Sequence, residues 1–290
     1  MSKSHIEWTS DTWNIIGGCW PESAGCTNCY AVPMSRRLGA MAEKQGESAS
    51  PAMRKYIGTV KNGRFTGKIN LDYEALKLPY TWKKSKMVFV QSMGDLFHED
   101  VPTAFIQAAF KVMNETQHIT YQVLTKRTAR MAAIDVEWTP NIWAMTSVEN
   151  QKMADLRIPL LLQVDAKIRG LSMEPLLECV HIDNDKMLLL DFIIAGGESG
   201  PKARPMPALA AQHIRNICEV TDTKFFFKQW GACLPLEVAI QEFKIGDYHN
   251  PTKSEHHNGL EYVRMGKKKA GRLLNGRTWD ELPEPLTEQI

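Results

Sequence analysis

Half of the chain's six cysteines fall in one short loop, GGCWPESAGCTNCYA, at Cys19, Cys26 and Cys29. Their spacing, C-x6-C-x2-C, leaves three chemistries open: a zinc site, part of a disulfide framework, or a three-thiolate cradle for an iron–sulfur cluster. A chain of this size needs no disulfide staples, and a cytoplasmic setting keeps thiols reduced. A structural zinc site takes four ligands, often as two paired half-sites. Here one C-x2-C pair stands alone, and a fourth ligand would have to come from His5, Cys233 or another distant residue, because Cys179 and Cys218 lie in contexts that read as core. Three local thiolates suit a four-iron cluster, which cysteines hold while one iron stays open for an outside ligand.

Other groups capable of chemistry follow short apolar runs. MVFVQS (87–92), TYQVLT (120–125), IWAMTS (142–147), KIRGLS (167–172), FIIAGG (192–197) and KFFFKQ (224–229) are β-branched or aromatic and nearly continuous in apolarity. That pattern predicts parallel strands buried on both faces. Directly after them come MGDLFHED, KR, VEN, MEPLL, ESG and WG. Barrels and open α/β sheets place their sites at these strand ends. The candidates are therefore Asp95, His98, Glu99, Lys126, Arg127, Ser147, Glu149, Asn150, Ser172, Glu174, Glu198, Ser199, Lys228 and Gln229. For any single residue here the plain alternative is a helix cap or a loop ion pair.

Helical stretches separate the runs. Phe105, Ile106, Ala109, Phe110 and Met113 form one apolar face, and Leu209, Ile214, Ile217 and Cys218 form another. Strand and helix in alternation indicate βαβ units. With a first strand at Thr12–Ile16, the expected fold class is α/β, a partial (β/α)6-type barrel with a C-terminal appendage; a doubly wound open sheet is the alternative. The expected domains are a barrel over 1–245, with the cysteine loop at 17–30, and a basic extension over 246–290. Residues 40–70 read as a surface excursion.

The 290 residues are 43% hydrophobic and 23% charged, ordinary values for a globular protein. No stretch nears the roughly 20 apolar residues of a membrane span, and MSKSHIEWTSDTWN has no apolar core of a secretory signal. The expectation is a cytoplasmic protein, or one in a host cytoplasm, without a membrane partner. A net charge of +2 neither demands nor excludes nucleic acid. The local run GKKKAGRLLNGR, with Lys267, Lys268, Lys269 and Arg272, is suited to a nucleic-acid backbone, although such runs are usually solvated faces.

The motifs IEWTSDTWNIIGGCWPESAGCTNCYA, VQSMGDLFHED, YQVLTKR, TSVENQ, SMEPLL, IIAGGESGPKARP, FFFKQWG and KKKAGRLLNGRTWDELP run nearly the whole length. By them the chain resembles radical S-adenosylmethionine (SAM) enzymes, and more closely a phage-associated branch. The resemblance implies a partial barrel whose first loop holds a 4Fe-4S cluster through Cys19, Cys26 and Cys29. SAM would chelate the open iron, and an electron from a donor such as flavodoxin or ferredoxin would release a 5'-deoxyadenosyl radical. Asp95, in a partial match to the superfamily's Gly-Gly-Glu element, would accept from the methionine ammonium. Ser147, Glu149 and Asn150 would meet ribose or the methionine carboxylate, and Gly196 and Gly197 the adenine. The commonest superfamily spacing is C-x3-C-x2-C with an aromatic before the last cysteine; here the first gap is longer, Asn28 holds that position and Tyr30 follows.

Glu174, Lys228 and Gln229 remain as catalytic candidates, and Lys126 and Arg127 as contacts to substrate or nucleic acid; Gln229 with Trp230 could read and stack a base. The leading expectation is an isomerase that converts N-linked to C-linked glycyl-thymidine during hypermodification of phage DNA. The alternatives are a thymine-lesion repair lyase resembling spore photoproduct lyase, and a non-catalytic, zinc-stabilised nucleic-acid-binding protein.

Overall fold

The computed structural model describes Ser4, residues 6–242 and residues 254–285. Seven strands form one sheet: β1 (Asp11–Trp13), β2 (Lys86–Val90), β3 (Ile119–Thr125), β4 (Ile142–Ser147), β5 (Ile168–Met173), β6 (Phe192–Gly196) and β7 (Lys224–Gln229). They lie side by side in chain order, and the registers that pair β1 to β2, β3 and β4, and β5 to β6 and β7, are parallel. A doubly wound sheet reverses its order at a switch point; this one never does, so its winding is that of a (β/α) barrel. The apolar runs have the cause expected of them, since β4 is buried at all six positions and β6 at all five.

The first strand is shorter than the 12–16 expected. After Trp13 the chain leaves the sheet because the buried side chain of Gln91 takes over the pairing. Its Oε1 accepts from Ile15 N (2.9 Å) and Ile16 N (3.1 Å), and its Nε2 donates to the Ile16 carbonyl (2.8 Å). Ile16–Gly17 then pairs antiparallel with Asn70–Leu71. Five longer helices intervene between strands: α1 (Ala31–Gln45), α2 (Thr103–Glu115), α3 (Thr128–Ala133), α4 (Gln151–Leu161) and α5 (Ala208–Thr221). On α2 the buried face is the one its periodicity announces. On α5 the buried residues are Ala208, Ala210, Ala211, Ile214 and Cys218, whereas Leu209 is 65% exposed. Small alanines let the first turn approach its neighbours closely, and Leu209 falls about 100° round from them on the outer side.

Two compact units divide the chain. The first comprises the described part of Met1–Thr146 with Leu160–Arg169, and the second Ser147–Pro159 with Gly170–Pro283. The expected boundary at 245/246 lies outside the described residues, and Ser254–Pro283 belongs to the second unit. There β8 (Cys233–Pro235), β9 (Ser254–His257) and β10 (Leu260–Arg264) make a small antiparallel sheet with β10 in the middle.

The tail beyond it has a structural task. An edge strand left open is a template for pairing with other chains. Residues 279–281 cover the free side of β7: Phe227 N donates to the Trp279 carbonyl (2.9 Å), Glu281 N donates to the Phe225 carbonyl (3.2 Å), and Phe226 bridges Asp280. Trp279 is buried, edge-on to Phe225, with its indole N–H on the Leu274 carbonyl (2.9 Å) and the Arg277 guanidinium over its ring. Trp279→Ala is therefore expected to lower the unfolding free energy by about 3–5 kcal/mol and to increase aggregation, as read by urea denaturation and light scattering.

Candidate functional site

The cysteine loop belongs to the first unit and is shaped by close backbone contacts. A Cβ on Gly17 would lie 2.0 Å from the Lys55 carbonyl oxygen, and one on Gly18, whose φ is +100°, would lie 1.9 Å from that of Lys68. Only glycine permits this approach. The segment over 55–72 is thus a wall of the loop rather than the surface excursion expected: Lys55, Tyr56, Thr59, Phe65 and Asp72 are buried. Lys55 Nζ donates to the Asn14 carbonyl and to Asp72 Oδ2 (2.9 Å), while Asp72 Oδ1 accepts from Ala75 N (2.9 Å). Across the loop, Asn14 Oδ1 accepts from Met93 N (3.1 Å), and the Tyr30 hydroxyl donates to the Ser92 carbonyl (2.6 Å).

Cys19, Cys26 and Cys29 are half-buried free thiols. Cys19 and Cys29 rest on an apolar floor of Tyr56, Phe65 and Met93. Burial pushes the Cys19 thiol up to about 12; the Asp95 carboxylate adds to this, Arg127 opposes it, and Cys26 and Cys29 add further. Cys29 is raised by burial and by Cys26, with Lys126 opposing. The three sulfurs therefore share one electrostatic environment with two cations beside it. Among the described residues no three His, Cys, Asp or Glu side chains converge on the single point that one ion needs. A four-iron cluster makes a different demand, one thiolate on each of three irons, and coordination itself removes the thiol protons. The donor set fits that group. Of the distant ligands considered for zinc, His5 lies outside the described residues, and Cys233 is buried in the second unit with its thiol donating to Glu255 Oε1 (3.0 Å). Cys218 is core as expected, but Cys179 is exposed.

Arg127, at the end of β3, ties the loop down. Nε donates to both oxygens of Glu99 (2.9 Å each), Nη1 to Asp95 Oδ2 (3.2 Å) and Nη2 to the Trp20 carbonyl (3.1 Å), with Glu22 Oε2 at 3.6 Å. Asp95 is equally engaged. Its Oδ1 accepts from Phe97 N (3.0 Å) and the Thr125 hydroxyl (2.7 Å), and its Oδ2 from Lys126 N (3.2 Å) as well as from Arg127. Four donors fill the lone-pair sites of a carboxylate, so an ammonium ligand reaches Asp95 only by displacing one. Lys126 has no ion pair among the described residues.

In the second unit the strand ends hold a separate group. Glu174, after β5, and Lys228, on β7, form a mostly buried ion pair at 3.1 Å. Gly196 makes room for it, since a Cβ there would lie 2.6 Å from Glu174 Oε1. Gly197 is filled by protein, because its Cβ would lie 2.0 Å from the Trp230 carbonyl oxygen. Gln229 Nε2 donates to the Gly197 carbonyl (3.2 Å), and its buried Oε1 has no hydrogen-bond partner among the described residues. Trp230 is core: it is 1% exposed, packs edge-on against Phe227 and donates to the Leu273 carbonyl (2.7 Å), so it offers no face to a base.

The other candidates there do structural work. Asn150 Oδ1 accepts from Met153 N (3.0 Å) and caps α4, while Arg157 Nη1 donates to the Ser147 carbonyl (2.9 Å) and to the fully buried Glu149 carboxylate (3.1 Å). The basic run splits. Lys267, Lys268 and Lys269 are exposed, but Arg272 donates to the Lys228 carbonyl (3.0 Å), pairs with Asp280 and lies over the Phe226 ring.

Residues 3–283 match one family, described as a protein of unknown function, DUF5131. The chain belongs to the DUF5131 family. No curated protein matches it. Among solved structures it is similar to spore photoproduct lyase. A cysteine-to-serine mutant of that enzyme has a TM-score of 0.46 at 12% identity, over 93% of this chain and 72% of that one. The form complexed with dinucleoside spore photoproduct has a TM-score of 0.45 at 12% identity with the same coverage. In the DUF5131 chain no described helix is long and apolar enough to cross a membrane.

Pattern reading passed over Gln91 and the Lys55–Asp72 pair. Gln91 carries a faint signal, a polar residue closing a buried strand, but nothing in the sequence joins Lys55 to Asp72. His98 beside the Arg127 knot completes the DUF5131 site. It is 3% exposed, its Nδ1 accepts from Asp100 N (3.2 Å), and Nε2 has no partner among the described residues. Burial, then the Arg127 charge, hold its pKa below the ordinary 6.5, against the pull of Glu99, Asp100 and Asp95. The unfolded chain therefore binds the proton first, and this residue's contribution, complete above pH 6.5, is lost as pH falls through the lower folded value. Urea midpoints should drop between pH 7 and 5, and the drop should flatten in His98→Gln.

Proposed function

We infer that the chain is a radical SAM enzyme that modifies a nucleobase. The observation that carries the reading is the loop with three half-buried thiols, of which Cys19 and Cys29 rest on an apolar floor, flanked by Lys126 and Arg127. Cys19, Cys26 and Cys29 would hold a 4Fe-4S cluster. When bound, the cluster and SAM supply one-electron cleavage chemistry able to open an unactivated C–H bond; the protein's share is binding, orientation and exclusion of quenching reactions. Tyr56, Phe65 and Met93 keep water from the inner side of the thiols. Arg127 fixes the chain next to Cys19 through the Trp20 carbonyl. Asp95, Ser147, Glu149 and Asn150 act on SAM chiefly by shaping the strand-end turns, since each is engaged inside the chain.

For the substrate, Glu174 and Lys228 offer a carboxylate and an ammonium in one pair, and Gln229 an acceptor unmatched among the described residues. Lys126 and the exposed Lys267, Lys268 and Lys269 are the cations for nucleic-acid phosphate. The specific reaction we assign is isomerisation of N-linked to C-linked glycyl-thymidine, as part of phage DNA hypermodification in the host cytoplasm. Its support is the motif resemblance. A migration from nitrogen to carbon needs a radical at an unactivated carbon, and a low-potential one-electron donor such as flavodoxin or ferredoxin would start it.

Anaerobic reconstitution should give a brown protein with about four irons per chain, and 5'-deoxyadenosine when reductant and SAM are added; Cys26→Ala should lose both. A colourless protein with one zinc and no 5'-deoxyadenosine would overturn the radical reading in favour of a binding module. Product analysis on glycyl-thymidine DNA against DNA with thymine lesions separates the isomerase from a repair lyase.

A further inference from the structure

We propose that Arg127 is a positioning residue for the cysteine loop, one that holds the backbone beside Cys19 and sets the reduction potential of the cluster carried there. The proposal rests on the cluster reading above and assigns Arg127 a task unlike the substrate contact its place beside Lys126 in the sequence implies.

The geometry leaves Arg127 nothing for a substrate. Its side chain is 4% exposed, and the guanidinium is divided among the Glu99 carboxylate, Asp95 Oδ2 and the Trp20 carbonyl, with Glu22 at 3.6 Å. Trp20 directly follows Cys19, so the bond to its carbonyl fixes the exit of the first thiolate. The anchor is itself anchored: the Thr125 hydroxyl accepts from Arg127 N (2.8 Å) and donates to Asp95 Oδ1 (2.7 Å). Lys126, one residue earlier, is left to meet ligands.

Charge completes the case. The guanidinium donates to the carbonyl of Trp20, the residue after Cys19 (3.1 Å), so its positive charge is held beside the first thiol. A cluster that takes up one electron becomes more negative, and a fixed cation beside one of its thiolates stabilises the reduced state. The effect is strong because the guanidinium is out of water. Lysine would keep the charge, but a point-like ammonium cannot serve Trp20, Asp95 and Glu99 together as the planar fork does.

The test uses the full chain, reconstituted anaerobically as wild type, Arg127→Gln and Arg127→Lys. It measures iron and sulfide content, the electron paramagnetic resonance spectrum of the reduced protein without substrate, and the midpoint potential by redox titration. Arg127→Gln should hold iron and shift to a more negative potential. Arg127→Lys should stay near the wild-type potential but show an altered spectrum. An iron-loaded Arg127→Gln with wild-type potential overturns the proposal and leaves the cluster reading standing. If Arg127→Gln does not fold, Arg127→Lys decides, and an unchanged spectrum overturns the proposal. A wild type that takes up no iron and sulfide overturns the cluster reading and the proposal with it.

Discussion

A guanidinium removed from water must be ringed by acceptors, and the first unit is organised around meeting that demand for Arg127. Breaking a buried charge pair typically costs several kcal/mol, because the surviving charge is stranded. The ring therefore behaves as one piece: Asp95 and Glu99 from the turn after β2, Thr125 from the end of β3, and the Trp20 carbonyl from the cysteine loop. Removing any member leaves the others badly placed. A loop with little regular structure, spanning Cys19 to Cys29, thereby acquires a fixed geometry without a disulfide.

The same arrangement addresses a second electrostatic difficulty. Cys19 and Cys29, packed on an apolar floor, resist deprotonation: burial pushes Cys19 up to about 12 and raises Cys29 as well. Metal coordination overcomes that resistance only if the surroundings tolerate the negative charge left behind. Arg127 supplies positive charge near Cys19 and Lys126 near Cys29. Burial and cation placement are thus complementary, since the apolar contacts that raise the thiols also strengthen the pull of the nearby cations.

Much of the scaffold was legible in the sequence because buried parallel strands leave little choice of residue. Runs such as IWAMTS and KFFFKQ mark β4 and β7 at their observed limits. The strand-end positions of Asp95, Arg127, Glu174 and Lys228 followed from those runs. What did not follow was partnership. Whether a charged residue at a strand end meets solvent or another side chain depends on contacts across tens of residues: Arg127 with Glu22, or Lys55 with Asp72, has no local pattern. Size misled in a similar way at α5, where alanines rather than Leu209 make the inner face. Cysteine misled at 179, where a residue type usually buried lies exposed.

Internal partnership also narrows what a ligand can use. Arg272, Glu149, Asn150 and Arg127 each attract notice as functional groups in the sequence, and each has its hydrogen bonds directed inward. A side chain already holding a turn cannot also be drawn toward substrate without loosening that turn. Among the described residues the groups with capacity remaining are fewer: the three thiols and Lys126 in the first unit, and in the second Gln229 Oε1 and the exposed Lys268 and Lys269. Soft sulfur donors in one unit and hydrogen-bonding and phosphate-matching groups in the other are different kinds of recognition.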